Sequence, residues 1–296
     1  MAEETRCALG IDIGGTHYRA GVVTADGQVV ELCEPRTSAG GEPDVLAREI
    51  RGPVDALIAG REVVNAVGVC LPGIWDRETT VMQRALNLPR LEGVNLRELF
   101  EGALGRTVVL ETDVNAAGWA QWRHFSPRPA RFVYLSVGTG IGGCVILGGE
   151  VVRHTRGGAG HFGHLVVDTS ATAPACRCGA RGCLEVVAGG AALNRLLYDE
   201  FKHSRRAGGV PEHDVLSRAA RALAVGALQI ANIYAPDVVA LGGGVIDANE
   251  ELVGQVSKRL GELGCTLVPE AMRIEHAPLY TDEAGVIGAA LLALAT

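Results

Sequence analysis

The sequence predicts an α/β protein of two lobes with a cleft between them. Apolar strands alternate with helical stretches along the chain, a pattern typical of parallel-rich sheets that are covered by helices. The strand–turn–strand–turn–strand pattern of residues 7–30 also recurs at residues 132–152, where Leu135 matches Ile11. Because an internal repeat indicates two units of similar structure, we expect two homologous lobes.

Turn signals and hydrophobic periodicity locate the individual elements. Gly14 and Gly15 interrupt the first apolar strand, so that a second strand follows a tight turn. The apolar residues of 44–61 recur at helical spacing, and Asn95 is a typical helix cap. We expect helices over residues 44–61, 95–104, 189–202, 213–234, 249–263 and 283–295, and strands over residues 66–73, 107–111 and 237–245.

Composition favours a cytoplasmic protein with a large core. The chain has 296 residues, of which 48% are hydrophobic and 21% charged, so one large or two medium domains can be buried. The net charge of -7 argues against a nucleic-acid surface built on charge. The N-terminus lacks the pattern of a signal peptide, and no apolar run approaches the length of a membrane span. We therefore expect no nucleic-acid partner and no membrane.

A cluster of cysteines and one histidine in the stretch 157–185 indicates a metal site. Three sulfurs and one imidazole are the ligand set of a closed, tetrahedral structural zinc site. Clustered cysteine and histidine in a chain without signs of secretion usually indicate metal, although reduced cysteines in a glycine-rich loop are the alternative. The candidate zinc ligands are His164, Cys176, Cys178 and Cys183.

Two glycine turns, one in each copy of the repeat, are candidates for binding phosphate. In the turn Asp12-Ile13-Gly14-Gly15-Thr16, glycines let backbone N–H groups point at an anion, and the Thr16 hydroxyl can donate to a phosphate oxygen. Asp12 is placed to hold Mg²⁺ through water. The second copy contributes Thr139 and Gly140. A plain hairpin turn is the alternative for either, but two opposed turns across a cleft form a polyphosphate clamp.

Asp113 is the candidate catalytic residue. It stands where a buried strand passes into a helix, and phosphoryl transfer to a hydroxyl needs a carboxylate that orients the attacking oxygen and accepts its proton. The alternative is that Asp113 only caps the helix. Asn87 and Gly73 are candidate ligand contacts, because an amide can both donate to and accept from a hydroxyl and a glycine lets a ligand approach the backbone. The alternative is that both are ordinary turn residues.

These motifs resemble those of the ROK family (repressors, open reading frames and sugar kinases). The resemblance rests on the pattern GxxGxxGH, which ends at His164, and on CxCGxxGCLE, which ends at Glu185. It implies the actin-like ATPase fold of sugar kinases, with residues 1–115 and 284–296 in an N-terminal lobe and residues 116–283 in a C-terminal lobe. It also implies ATP and Mg²⁺ as cofactors, structural Zn²⁺ and a homodimer.

The resemblance implies roles for particular residues. His164 would contact the sugar as well as zinc, and Glu185 would bind the sugar. Asn87 resembles the sugar contact of the N-terminal lobe, and Gly73 would let the sugar approach the backbone. The turn that holds Gly243 and Gly244 would lie against the adenosine, although a simple strand–helix turn is the alternative.

The chain departs from the family pattern at two positions. The family motif E-N-D-x-N has an asparagine where this chain has Thr112, just before the proposed base Asp113. Most of the family's sugar kinases have glutamate where this chain has His161, and bacterial N-acetylmannosamine kinases resemble it there. Both positions are expected to contact the sugar, so the identity of the sugar stays open.

The sequence therefore predicts an ATP-dependent kinase that transfers the γ-phosphate to the 6-hydroxyl of a hexose or an amino- or N-acetyl-hexose. Glucose, N-acetylmannosamine, allose and an amino-hexose all remain candidates. A sugar-responsive repressor of the same family would carry a helix-turn-helix, for which no room is expected before Asp12. A non-catalytic sugar-binding protein would not need Asp12, Asp113 and both phosphate turns.

Overall fold

The computed structural model describes residues 6–34, 36–37, 42–61, 63–155, 159–197, 212–269 and 271–295. The chain divides into two compact units. Unit 1 comprises Met1–His124, Val152–Ala159 and Asp282–Thr296, and unit 2 comprises Phe125–Val151 and Gly160–Thr281. The predicted lobe boundary at residue 115 falls inside the helix that begins at Asp113 and continues to His124. Unit 1 also includes the stretches 152–159 and 282–283, which were predicted for the C-terminal lobe.

Unit 1 is built on a six-stranded sheet. Its strands are β1 (Cys7–Ile13), β2 (His17–Thr24), β3 (Val29–Leu32), β4 (Arg36–Thr37), β5 (Val63–Leu71) and β8 (Thr107–Thr112), with β6 (Ile74–Trp75) and β7 (Met82–Arg84) forming a separate ribbon. The order β3-β2-β1-β5-β8 places β1 centrally, with β2 antiparallel and β5 parallel to it. The predicted repeat did not indicate the β6–β7 ribbon, because neither strand exceeds three residues.

Three helices of unit 1 are α1 (Pro43–Ile58), α2 (Leu96–Leu104) and α3 (Asp113–His124), and a further helix, Thr281–Leu294, is described below. The predicted cap Asn95 is confirmed, since its side chain accepts a hydrogen bond from the Glu98 amide. Gly105 ends α2 in the left-handed conformation. The face of α1 that packs into the core consists of Leu46, Ala47, Ile50, Val54 and Leu57.

Unit 2 repeats the topology of unit 1. Its strands are β9 (Arg131–Val137), β10 (Ile141–Leu147), β11 (Glu150–Val151), β12 (Val238–Gly242) and β13 (Arg273–His276). The order β11-β10-β9-β12-β13 carries two antiparallel and then two parallel pairings, as in β3-β2-β1-β5-β8. The sequence did not predict β13, because this edge strand alternates charged and apolar residues and none is fully buried.

The helices of unit 2 are α4 (Leu184–Ala188), α5 (190–197), α6 (Glu212–Tyr234), α7 (Gly244–Asp247) and α8 (Glu251–Glu262). The predicted helices 189–202, 213–234 and 249–263 correspond to α5, α6 and α8. The short helices α4 and α7 were not predicted, and the predicted strand 237–245 is too long, because β12 ends at Gly242 and Gly243 turns the chain into α7 with a positive φ. The predicted helix 189–202 extends beyond the described residues after 197, and residues 157–158 of the predicted zinc loop also lie outside them. Within the described parts of the chain, no helix is both long and apolar enough to cross a membrane.

The helix Thr281–Leu294 lies against the sheet and α3 of unit 1. It begins at the last residue of unit 2 and is almost fully buried from Ala284 to Ala293. A Cβ at Gly68 of β5 would lie only 1.8 Å from the Ala289 carbonyl oxygen, so glycine is required for this helix to approach the strand. Gly288 permits the same close approach to α3, because a Cβ there would lie 1.8 Å from the Ala116 carbonyl oxygen.

Candidate active site and metal centre

Asp12 ends the central strand of unit 1 and enters the predicted phosphate turn. The Gly14 amide donates to the His17 carbonyl oxygen at 2.8 Å, which closes the turn between β1 and β2. A Cβ on Gly15 would lie 3.0 Å from the Asn87 side chain, so the turn packs directly on the turn that carries Asn87. Thr16 is exposed beside them. The structure therefore places two groups of predicted ligand contacts, for phosphate and for sugar, next to each other.

Asp12 and Asp113 interact electrostatically in unit 1. Burial raises the pKa of Asp12 to about 6, and the Asp113 carboxylate adds to this rise, while the hydrogen bond from Cys70 and the charge of Arg19 act in the opposite direction. Burial also raises the pKa of Asp113. A raised pKa makes a carboxylate a stronger base, so the environment of Asp113 suits proton acceptance from a hydroxyl. A Mg²⁺ ion beside Asp12 would favour its charged form.

Cys70 orients Asp12, and the sequence did not indicate this role. The Cys70 thiol donates to Asp12 Oδ1 at 3.4 Å and lies 3.5 Å from the carbonyl oxygen of Gly285. The helix Thr281–Leu294 thus contributes backbone to the surroundings of Asp12. Cys70 is fully buried and stands opposite Asp12 across the β1–β5 pairing. A lone cysteine in an apolar strand is indistinguishable in sequence from an ordinary core residue.

Thr112 provides the side-chain cap at the third amide of α3. Its Oγ1 accepts a hydrogen bond from the Asn115 amide at 3.3 Å, three residues along the chain. Asp113 instead accepts from the amide of the next residue, Val114, at 2.8 Å. Helix capping was the alternative role for Asp113, and Thr112 supplies most of it. The hydroxyl hydrogen of Thr112 remains able to donate to a ligand.

A buried ion network directly precedes Thr112. Glu111 is 3% exposed and binds two arginines, Arg77 through Oε1 and Arg153 through Oε2, the latter at 2.6 Å. Asn115 also donates to Oε1 at 3.0 Å. Burial alone would raise the pKa of Glu111, but the charges of Arg153 and Arg77 outweigh it and hold the pKa below its ordinary value. This network ties Arg77, in the loop between β6 and β7, and Arg153 to the strand β8, which leads directly into Asp113.

Gly73 lies close to the β6–β7 ribbon. Its φ of 146° is in the region that favours glycine, and a Cβ there would lie 2.7 Å from Met82 Sδ. Asn87 is exposed, and in its turn the Leu88 amide donates to the Ala85 carbonyl oxygen. Both residues belong to unit 1, as do Asp12, Thr112 and Asp113.

The predicted zinc ligands converge in unit 2. One ligand atom from each of the four side chains lies within 4.8 Å of all the others. Cys176 Sγ is 3.6 Å from His164 Nδ1, and Cys178 Sγ is 3.6 Å from Cys183 Sγ. Gly179 and Gly182 both have positive φ, and they form the turns that bring the sulfurs together.

This donor set fits zinc. Two thiolates that bind one Zn²⁺ at about 2.3 Å in tetrahedral geometry lie roughly 3.8 Å apart, close to the Cys178–Cys183 separation. Burial raises the pKa of Cys183 to about 12, and the neighbouring thiols add to this rise. A divalent cation would reverse that tendency, because it stabilises the thiolate form. His164, Cys176, Cys178 and Cys183 would hold the ion, which would supply structural cross-linking of the loop.

We expect the purified protein to contain about one zinc per chain, by the four-ligand argument. Cys178→Ser should lower this content and the melting temperature, because it removes one ligand and the loop depends on all four. Elemental analysis after dialysis measures the metal. The control is Cys265→Ser, a half-buried cysteine outside the cluster, which should leave the metal in place. Purified, folded wild-type protein that contains no zinc would contradict the prediction.

The glycine turn of unit 2 lies against Glu185. The turn joins β9 to β10, and its Ile141 amide donates to Glu185 Oε2 at 3.0 Å. Phe162, in the loop between His161 and His164, packs on Gly143 of β10. The predicted ligand residues Thr139, Gly140, His164 and Glu185 are thus assembled around the start of one strand.

His161 is exposed and stands next to the metal cluster. Its ring centre is 6.1 Å from that of His164. The protein lowers the pKa of His161, first by removing part of the ring from water and then through the charge of His164, while Glu185 acts in the opposite direction. At neutral pH the ring is therefore largely uncharged, and it can donate one hydrogen bond and accept another.

Gly243 and Gly244 pass from β12 into α7. Gly243 has a φ of 98°, and a Cβ there would lie 2.6 Å from the backbone of Val137, at the end of β9. The predicted nucleotide turn therefore packs beside the predicted phosphate turn of the same unit. Gly244 is exposed at the start of α7.

Comparison with known proteins matches this chain to one family along nearly its whole length. A sequence model of the ROK family matches residues 8–296. The glucokinase of Thermotoga maritima is 30% identical, with 95% of each chain covered, and the N-acetylmannosamine kinase of Escherichia coli is 31% identical, with 97% of this chain and 98% of the relative covered.

The fold agrees with these matches. The structure resembles that of a ROK family glucokinase from Streptomyces griseus in complex with glucose and AMPPNP, with a TM-score of 0.82, 27% identity, and coverage of 98% of this chain and 100% of that one. The predicted actin-like ATPase fold is confirmed. With the family match spanning residues 8–296, the chain belongs to the ROK family.

Proposed function

We propose that the chain is an ATP-dependent sugar kinase that transfers the γ-phosphate to the 6-hydroxyl of a hexose or an amino- or N-acetyl-hexose. The observation that carries this proposal is the pair of carboxylates Asp12 and Asp113 in unit 1: burial raises the pKa of both, and the Asp113 charge adds to the rise at Asp12. Perturbed carboxylates of this kind are typical of catalytic sites. The glucokinase and N-acetylmannosamine kinase relatives support the same reaction class.

Asp113 acts as the general base in this proposal. Its carboxylate accepts the proton of the sugar hydroxyl as the oxygen attacks the γ-phosphorus, and ADP leaves with the bond electrons. Asp12 would hold Mg²⁺, which when bound neutralises charge on the phosphate oxygens. Gly14, Gly15 and Thr16 of unit 1 and Thr139 and Gly140 of unit 2 donate to the phosphates, and Gly243 and Gly244 contact the nucleoside.

The sugar contacts are assigned to residues with hydroxyl-binding groups. Asn87 and Thr112 of unit 1 would donate to or accept from hydroxyls, and Gly73 would admit the ring close to the backbone. His161, His164 and Glu185 of unit 2 would complete the set. The two units correspond in this proposal to the two lobes of the predicted fold. We also expect a homodimer, which light scattering can test.

A coupled assay of ADP release over a panel of sugars tests the proposal. The panel comprises glucose, N-acetylmannosamine, allose and glucosamine, each with its 6-deoxy analogue as the control. We expect turnover on at least one sugar and none on its 6-deoxy form. A chain that binds sugars without releasing ADP would favour a regulator or a binding protein, and turnover of a 6-deoxy sugar would contradict the 6-hydroxyl assignment.

We expect His161 to direct specificity away from glucose. A glutamate at this position can accept hydrogen bonds from two adjacent hydroxyls, whereas a neutral imidazole accepts only one. Wild type should therefore prefer a modified hexose. His161→Glu should raise kcat/KM for glucose, relative to the best panel sugar, by about tenfold, the worth of one charge-assisted hydrogen bond.

The matched control for His161 is His161→Gln. Glutamine is neutral and offers one acceptor and one donor group, so its ratio of kcat/KM values should remain near that of wild type. If the glutamate variant leaves the ratio unchanged, His161 only packs in its loop and does not select the sugar.

A further inference from the structure

Glu185 connects the metal cluster to the glycine turn of unit 2. It is the second residue of α4, which begins immediately after the zinc ligand Cys183. The helix is fixed at this end, because the Leu184 amide donates to the Leu165 carbonyl oxygen at 2.8 Å. From there the Glu185 side chain reaches the turn and accepts the Ile141 amide hydrogen at 3.0 Å. A hydrogen bond to an ionised carboxylate is stronger than one between neutral groups.

The backbone that follows Glu185 holds the same turn. The Gly190 amide donates to the Gly138 carbonyl oxygen at 2.8 Å, and the Ala191 amide donates to the Thr139 carbonyl oxygen at 3.0 Å. Two carbonyl groups of the turn are thereby directed towards α5. Among the backbone–backbone hydrogen bonds of the described turns and loops, none has the amide of Thr139 or Gly140 as its donor. These two amides are the groups that a phosphate would need.

Gly140 is shaped to the Glu185 carboxylate. A Cβ at this position would lie 2.4 Å from Glu185 Oε2 and 3.1 Å from Cδ, so any other residue would displace the carboxylate or the turn. The Glu185 carboxylate therefore packs against Gly140 and also accepts the hydrogen bond from the Ile141 amide. This contact and the hydrogen bond together determine where the turn stands relative to the loop that carries the candidate metal ligands.

We propose that Glu185 is a positioning residue for the nucleotide, which holds the turn Gly138–Ile141 so that its amides meet the phosphates. This inference rests on the proposed kinase function and adds a second role to Glu185 besides its proposed contact with the sugar. Sugar contact would use the other carboxylate oxygen. The metal cluster, α4 and the turn then act as one support for nucleotide binding.

The test is calorimetric titration of the purified, zinc-containing chain with Mg²⁺ and AMPPNP, without any sugar, so that sugar contact by Glu185 does not enter. Glu185→Ala should weaken AMPPNP binding roughly 10- to 100-fold, the range for loss of a charge-assisted hydrogen bond. Glu185→Gln should stay within a few-fold of wild type, because its amide oxygen can accept from the same N–H. Glu262→Ala, which removes an exposed carboxylate on α8, should change nothing.

A double-mutant cycle separates positioning from general destabilisation. Gly140→Ala should weaken AMPPNP binding in wild type, because the added Cβ displaces the carboxylate. In the Glu185→Ala background the same change should cost much less, since the obstructing oxygens are absent. Strictly additive losses would overturn the proposal, because residues in a shared contact are expected to be coupled.

The outcomes distinguish this inference from the proposed function. AMPPNP affinity that is equal in wild type and Glu185→Ala overturns the positioning role and leaves the kinase proposal standing. A wild-type chain that binds no AMPPNP overturns both. If Glu185→Ala does not fold, Glu185→Gln and Gly140→Ala decide: we expect near wild-type binding in the first and weakened binding in the second, and the reverse order overturns the role.

Discussion

Asp113→Asn should lower kcat by roughly 10²–10⁴-fold on the best panel sugar, the usual contribution of a general base. The substitution keeps the shape and removes the basic oxygen, while the Thr112 cap of α3 remains in place. The melting temperature and AMPPNP affinity should therefore stay near those of wild type. Steady-state kinetics, thermal unfolding and titration with AMPPNP measure the three quantities separately.

Asp55→Asn is the control for this substitution, because it changes an exposed carboxylate on α1 of the same unit and should leave kcat unaltered. Wild type should also lose kcat/KM as pH falls through the raised pKa of Asp113, where the base becomes protonated. A variant that keeps wild-type kcat but melts earlier would show that Asp113 only starts the helix.

Glu111→Gln should destabilise the protein by about 3–5 kcal/mol, the cost typical of removing one partner from a buried ion pair. Two arginines, Arg77 and Arg153, would then face a neutral amide in a site where the original carboxylate is 3% exposed. Denaturant unfolding of the wild type and the variant measures the difference. Glu31→Gln is the matched control, because it removes the carboxylate of an exposed pair in the same unit and should cost less than about 1 kcal/mol.

The pH dependence of stability gives an independent check on Glu111. Its pKa is lowered in the folded state, so its contribution to stability is fully present above the ordinary glutamate pKa. The contribution is lost as pH falls through the lowered folded-state pKa. Wild type and Glu111→Gln should therefore converge in stability in acid. Equal losses for Glu111→Gln and Glu31→Gln at neutral pH would contradict a structural role for the network.

The convergence of the four candidate metal ligands could be predicted because they are close in sequence. Cys176, Cys178 and Cys183 are separated by a few residues, and glycines with positive φ turn the chain between them. Local spacing therefore carries most of the geometry. The two β-strand repeats were detectable for a similar reason, since each consists of adjacent strands joined by short turns.

Contacts between distant segments could not be predicted. Glu111 is paired with Arg77 and Arg153, which come from other parts of the chain and look in sequence like ordinary surface arginines. In sequence Cys70 resembles an ordinary core residue, and only the β1–β5 pairing places it opposite Asp12. The hydrogen bond of Glu185 to Ile141 likewise depends on how α4 packs on the start of β10. Such pairings follow from tertiary packing, which leaves no periodic signal in the sequence.

The helix Thr281–Leu294 has a consequence for synthesis of the chain on the ribosome. It covers β5 of unit 1 at Gly68, yet it is translated only after all of unit 2. The strands of unit 1 are therefore made long before the helix that covers them. Until the end of the chain emerges, their uncovered apolar face is a surface that a chaperone would meet during translation.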